Sequence, residues 1–129
     1  MISKGIFIVG ADGRGVRHVP GTTQADSSPI WSPNGRWLAV SSAHTNKAKQ
    51  QVFSIDILSP MRRPRTRIVT GRFTYPAAWS PAGEAILFQR SAAPVPSGAR
   101  QLFVVGVRGG RPRPVAGTDG AVGPASWHR

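Results

Sequence analysis

Three tryptophans stand 48 residues apart, at Trp31, Trp79 and Trp127, and each sits in the same local phrase. Pro29-Ile30-Trp31-Ser32-Pro33-Asn34-Gly35 is followed by Pro76-Ala77-Ala78-Trp79-Ser80-Pro81-Ala82-Gly83, and Pro124-Ala125-Ser126-Trp127 begins the phrase again. A fixed period of this length marks a repeated supersecondary unit, too small to bury an apolar face alone and built to stack on its neighbours.

The content of each unit is extended. After Trp31, Ser32-Pro33-Asn34-Gly35 reads as a β-turn with proline preset at its second position, and Arg36 to Ser42 as the returning strand. Ala43 to Gln50 is a polar loop, Gln51 to Leu58 a third strand, and Arg65 to Thr70 a fourth. The next unit follows the same plan: Tyr75 to Ser80, a turn at Pro81-Ala82-Gly83, Ala85 to Ser91, a loop over 92–99, Gln101 to Val107, a Gly109-Gly110 turn and Arg111 to Ala116. Before the first tryptophan, Ile6-Phe7-Ile8-Val9 and Val16 to Val19 flank a Gly-rich turn, and Thr22 to Ser28 is a polar connection. No stretch shows a 3.6-residue apolar period.

These readings predict an all-β chain. Four antiparallel strands per repeat with one tight Pro/Gly turn match β-propeller blades, about two complete and partial at both ends. The expected division of this single partial domain, residues 1–129, is 1–21 for the last two strands of a first blade, 22–70 and 71–117 for two blades, and 118–129 for the start of a fourth. A chain of 129 residues is short for a ring, which usually needs at least about four blades, so missing blades or self-association are expected to complete it.

Composition narrows function by exclusion. No cysteine is present, which removes disulfides and thiolate metal sites. Five carboxylates and three scattered histidines, His18, His44 and His128, offer no ligand spacing and no acid–base pair, so neither cofactor nor metal is expected. No strained G-x-S-x-G turn is present to carry a serine nucleophile. Gly10-Ala11-Asp12-Gly13-Arg14-Gly15 is followed by a strand, whereas a phosphate loop opens a helix, so it is read as a hairpin turn. The apolar run at the N-terminus is four residues, too short for a signal peptide, and no later run could span a membrane; the chain is expected to be soluble without an export signal of its own.

Trp31-Ser32-Pro33-Asn34-Gly35-Arg36-Trp37-Leu38-Ala39-Val40, its second copy at Trp79-Ser80-Pro81-Ala82-Gly83, and Ile6-Phe7-Ile8-Val9-Gly10-Ala11-Asp12-Gly13 together resemble the "WSPDG" blades of the TolB-like β-propeller family. The resemblance covers nearly the whole chain. It implies a non-catalytic scaffold for protein binding in an extracytoplasmic, periplasmic setting; the alternative is the lid of a prolyl-oligopeptidase-like serine peptidase whose catalytic domain lies outside this chain. The family's turn aspartate is Asn34 in one copy, which can still cap the turn, and Ala82 in the other, which cannot.

The repeat positions Trp31, Pro33, Gly35, Trp79, Pro81, Gly83 and Trp127 are assigned to structure, the tryptophans as packing between blades. Trp37, replaced by Ala85 in the next unit, is the better surface contact. The net charge of +12 favours an acidic protein partner. Arginines at 62–67 and 111–113 gather on or before each outermost strand, where charge protects an edge from pairing. Without interleaved aromatics they do not predict nucleic-acid binding. The candidate contacts are Lys47, Lys49 and Arg90, in or beside the loops between second and third strands.

Overall fold

Leu38-Ala39-Val40 is apolar at three successive positions, which suits a strand covered on both faces rather than one. The computed structural model, which describes residues 4–91 and 100–115, places it so: Leu38 to Ser42 are all buried, in the second strand of a sheet that has another sheet on each side. The first sheet holds β1 (Phe7–Ile8) and β2 (Arg17–His18). The second runs β3 (Asp26–Trp31), β4 (Leu38–Thr45), β5 (Gln51–Leu58) and β6 (Arg65–Gly71). The third runs β7 (Thr74–Trp79), β8 (Ala85–Ser91), β9 (Arg100–Gly106) and β10 (Gly109–Pro114). Each strand pairs antiparallel with the next in sequence, so both four-stranded sheets are simple meanders.

Side-chain alternation sorts β4 between two cores. Leu38 and Val40 join Leu58 against Ile6, Ile8 and Val19 of the first sheet. Ala39 joins Ile55 and Ile68 against Trp79, Ile86, Phe88 and Val105 of the third. Trp79 is 8% exposed and its indole Nε1 donates to the Ile30 carbonyl at 3.1 Å, so one residue supplies both the packing and the polar tie between sheets. Trp31, at the same place in the repeat, is 47% exposed, because no described strand covers it as β3 covers Trp79. Ser41 Oγ adds a second tie by donating to the Thr74 carbonyl at 2.7 Å.

Three boundaries differ from the sequence expectation. The connection expected over 22–28 is partly strand, since Asp26 and Ser27 pair with Ser42 and Ser41; a register shift between Ser27 and Ile30, with Ser28 at φ 54°, accommodates the following proline. β4 correspondingly runs on to Thr45. The turn expected at Gly109-Gly110 lies at Val107-Arg108, and the glycines open β10 at φ 92° and 102°, where the ladder shifts register. Pro76 is tolerated inside β7 by a similar shift before Ala78. Trp127 and residues 118–129 lie outside the described residues.

The two copies of the tight turn close differently. In both, the glycine amide bonds the serine carbonyl, Gly35 to Ser32 at 2.9 Å and Gly83 to Ser80 at 2.8 Å, with the glycines at φ 73° and 75°. Asn34 Oδ1 accepts the Arg36 amide while Ser32 Oγ accepts that of Trp37. Where Ala82 replaces the asparagine, Ser80 Oγ accepts both corresponding amides, from Glu84 at 3.1 Å and Ala85 at 3.0 Å. The serine thus does the work for which the family's aspartate was expected to be needed.

Two stability predictions follow from this geometry, both read by urea unfolding. Trp79→Ala should cost about 3–5 kcal/mol, the usual range for emptying a large aromatic site, whereas Trp31→Ala should cost less than about 1 kcal/mol. Ser80→Ala, which strands two amides, should cost about 1–3 kcal/mol, and Asn34→Ala less, because Ser32 can rotate to take over as Ser80 does.

Candidate functional site

In a meander, the first-to-second and third-to-fourth connections fall at the same end of the sheet. Here the turns of two adjacent sheets meet: Ser32–Gly35 and Ser59–Pro64 from the second, Ser80–Gly83 and Val107–Arg108 from the third. A Cβ built on Gly83 would lie only 3.8 Å from Pro33 Cδ, so the two short turns touch. Outward from that contact, between the sheets, opens a groove of about 870 Å³. Trp79 and Ile57 lie in it, Trp37 and the prolines Pro33, Pro64 and Pro81 form its sides, and Arg62, Arg65 and Arg108 supply its charge. No aspartate or glutamate among the described residues lines it.

The arginines are of two kinds. Arg65 is fixed: Nη1 donates to Asp26 Oδ1 at 2.8 Å and to Asp56 Oδ2 at 3.2 Å, and Nη2 to Asp26 Oδ2 and to the Gly21 carbonyl. Arg67 Nε reaches Asp56 Oδ1 at 3.2 Å, and Ser54 Oγ donates to the same oxygen. Asp56 is fully buried, and a carboxylate there is tolerable only because these donors surround it. Burial by itself pushes the Asp26 carboxyl up; the hydrogen bonds from Arg65, the Thr23 amide and Ser42 outweigh it and hold the group below its ordinary 3.8. The hydrogen bond to Asp26 raises Arg65 against its own burial, so it stays charged. Arg62 and Arg108 are exposed and form no ion pair among the described residues. Trp37 is 45% exposed.

The arginines at 62–67, expected to protect an edge strand, are therefore divided between solvent and buried carboxylates. Arg65 and Arg67 turn onto buried carboxylates and tie β6 to β5, β3 and the segment after Gly21. Asp56 anchors an ion cluster inside a strand. Asp12 does cap, accepting the Arg14 amide at 2.9 Å in the Gly-rich hairpin turn. Two signals for the cluster stood in the sequence: an aspartate in the middle of the apolar strand Gln51–Leu58, and alternate arginines in the strand that returns beside it. Asp56 and Arg67 prove to be cross-strand partners.

Lys47 and Lys49 lie exposed in the β4–β5 turn, which Asn46 Oδ1 closes by accepting the Ala48 and Gln50 amides. Arg90 is held differently. Its guanidinium lies 5.4 Å from the Phe88 ring centroid and 5.2 Å from that of Phe103, and burial lowers its pKa. Both places are at the end of the sheets opposite the groove. His18 Nε2 meets the Lys4 and Thr22 carbonyls at 3.2 and 3.0 Å; both are acceptors, so Nε2 carries the proton. His44 buries its own Nε2 without a partner among the described residues. No group of three histidine, cysteine or carboxylate side chains converges among the described residues, and no described helix is long and apolar enough to cross a membrane.

No protein-family model matches this chain, and no curated protein matches it in sequence.

The ion cluster sets a pH dependence with a definite sign. Asp26 titrates lower folded than unfolded, so its contribution is complete above about pH 4 and is lost as the pH falls through the folded value. Unfolding midpoints taken from pH 6 down to pH 3 should fall, and fall less steeply in Asp26→Asn. Arg65→Gln, which leaves two buried carboxylates without their main donor, should cost about 3–5 kcal/mol at neutral pH.

Proposed function

We propose that this chain is a run of β-propeller blades of the TolB-like type, and that it is a non-catalytic scaffold that binds an acidic segment of a protein partner in the groove between its two four-stranded sheets. The 48-residue repeat, the two consecutive meanders and their stacking through Trp79 support the propeller reading. The groove itself carries the functional reading: among the described residues it has three arginines, no carboxylate, and a wall of Trp37 and prolines. Exposed Arg62 and Arg108 pair with acidic side chains, which sets register and speeds encounter more than it adds affinity. Trp37 and the prolines present rigid apolar surface, which costs little ordering entropy when a segment lies across them. An extended peptide mixing acidic and aliphatic residues suits such a lining. The TolB-like resemblance adds an extracytoplasmic setting for that encounter.

The test is a titration with a synthetic peptide of glutamate, leucine and proline, followed by tryptophan fluorescence. Binding should weaken as salt rises. The double variant Arg62→Glu, Arg108→Glu should lower affinity about tenfold, equivalent to about 1.4 kcal/mol, with the circular dichroism unchanged. Lys47→Glu with Lys49→Glu should leave affinity as it was. The opposite result would move the binding surface to the β4–β5 turn and overturn the groove as the site.

A further inference from the structure

Arg90 is a half-buried cation without a counter-charge among the described residues, and its surroundings are shaped to hold it. Its guanidinium carbon lies 5.4 and 5.2 Å from the ring centroids of Phe88 and Phe103, cross-strand partners that stack at 5.5 Å. The last residue of β6 comes equally close. A Cβ on Gly71 would stand 2.8 Å from Arg90 Nε and 3.0 Å from Cζ, so glycine is required there by the approach of the guanidinium. Only two of the guanidinium N–H groups find acceptors among the described residues, Nε with Thr74 Oγ1 and Nη2 with the Thr70 carbonyl, both at 3.4 Å and therefore weak. Burial lowers the pKa of Arg90, and no neighbouring anion offsets it. Of the chain's carboxylates, Asp26 and Asp56 are taken by Arg65 and Arg67, Asp12 caps the Gly-rich turn, Glu84 follows the turn at the groove end, and Asp119 lies outside the described residues. A charge withdrawn from water without a partner is unfavourable, and a bound anion would offset that cost.

The bend that joins β6 to β7, beside this guanidinium, is held under strain. Phe73 has φ 43°, a conformation that a bulky side chain rarely adopts. Its carbonyl accepts the Ser91 amide at 3.3 Å, its ring lies 5.8 Å from that of Phe53, and buried Thr74 donates its hydroxyl to the Arg72 carbonyl at 3.1 Å. Strain maintained by such contacts is characteristic of ligand clamps. The bend carries a second guanidinium as well. Arg72 is exposed, forms no ion pair among the described residues, and has its guanidinium carbon 5.9 Å from the Phe73 ring centroid.

The geometry points to a binding site for a phosphoryl group at the β6–β7 bend, with Arg90 as its fixed donor and Arg72 as a second. The Arg90 fork offers parallel N–H donors and Arg72 a further positive charge, which suits a dianionic tetrahedral group better than a single carboxylate. Seating on two phenyl rings orients the fork in advance, so little side-chain freedom is lost on binding. Lys47 and Lys49, exposed at the same end of the sheets, add attraction at longer range. The site lies at the opposite end from the groove and does not depend on the blade reading.

The probe is inorganic phosphate, titrated into the ¹⁵N-labelled full chain at constant ionic strength with chloride as the balancing anion. Arginine Nε–Hε and backbone amide signals are followed by NMR. The expected result is a saturable shift of the Arg90 Nε–Hε and Gly71 amide signals. Arg90→Lys, which keeps the charge but loses the fork, should weaken binding about tenfold, and Arg72→Gln about threefold. Gly71→Ala, which displaces the guanidinium, should weaken it as much as Arg90→Lys. Phenyl phosphate in a parallel titration distinguishes the sources: tighter binding of the ester makes the ligand a phosphorylated molecule, and tighter binding of the free ion makes it phosphate itself. Four outcomes would overturn the inference: a shift that grows linearly and equally with chloride, Arg90→Lys binding as tightly as the parent chain, acetate saturating the same signals at the same concentration as phosphate, or saturation at Arg62 and Arg108 with Arg90 unmoved.

Discussion

Everything else in this structure hangs on one indole. Trp79 closes the interface between the two four-stranded sheets by filling the space over β3 and β4 and by spending its single polar atom on the Ile30 carbonyl. A large aromatic ring is favoured there because neighbouring twisted sheets diverge, and a branched aliphatic side chain would leave a void between them. The hydrogen bond fixes the register of the third sheet on the second, and that register brings the Pro33 and Gly83 turns into contact. The groove is the space left outward of that contact. Its walls are turns, so its chemistry varies with turn residues while its shape is held by the buried ring.

The second constraint is electrostatic and acts within one sheet. In a chain of net charge +12, two of the five carboxylates are buried together and shared by Arg65 and Arg67. Replacing such a cluster by apolar residues of the same volume is often neutral or favourable, so its presence is better explained by specificity than by stability. Asp26 opens β3, Asp56 lies inside β5, and Arg65 opens β6, so the cluster pins the start of the sheet to its outermost strand and holds the chain segment after Gly21 against both. The same anchoring takes Arg65 out of competition for a ligand. Among the described residues, Arg62 and Arg108 are left as the freely available charges of the groove.

Strands and their order were legible in the sequence because each repeat states them twice. Trp31 and Trp79 fix the phase, Ser-Pro-x-Gly fixes the turn, and alternating residues on either side can occupy only extended backbone. What escaped has a common physical cause: it depends on which neighbour lies across a sheet rather than on residues near in sequence. Asp26 and Arg65 are far apart along the chain, so the polar stretch before Trp31 read as a connection when a buried ion pair made it the start of a strand. Gly109 and Gly110 looked like a turn because glycine permits one, yet their positive φ serves a ladder irregularity instead. Arg90 was placed beside the lysines as a candidate contact because charge gives no hint of the two phenyl rings beneath it. The groove could not be read at all, since it is built from four turns of two sheets.

The contrast between Trp31 and Trp79 carries the argument further than either residue alone. The same Trp-Ser-Pro-x-Gly motif yields a buried side chain at one position and a half-exposed one at the other, so burial here is a property of the interface and not of the motif. Apolar surface of this size beside an open strand edge is a liability, since an unpaired ladder accepts any extended chain. Soluble β proteins usually blunt such an edge with lysine, proline, a bulge or brevity, and β1, uncharged but only two residues long, relies on the last. In the third sheet β10 carries Arg111 and two prolines, whereas in the second Arg65 and Arg67 of β6 turn onto Asp26 and Asp56. Edge pairing is thus limited by different means in different sheets, by brevity in the first and by proline and arginine in the third.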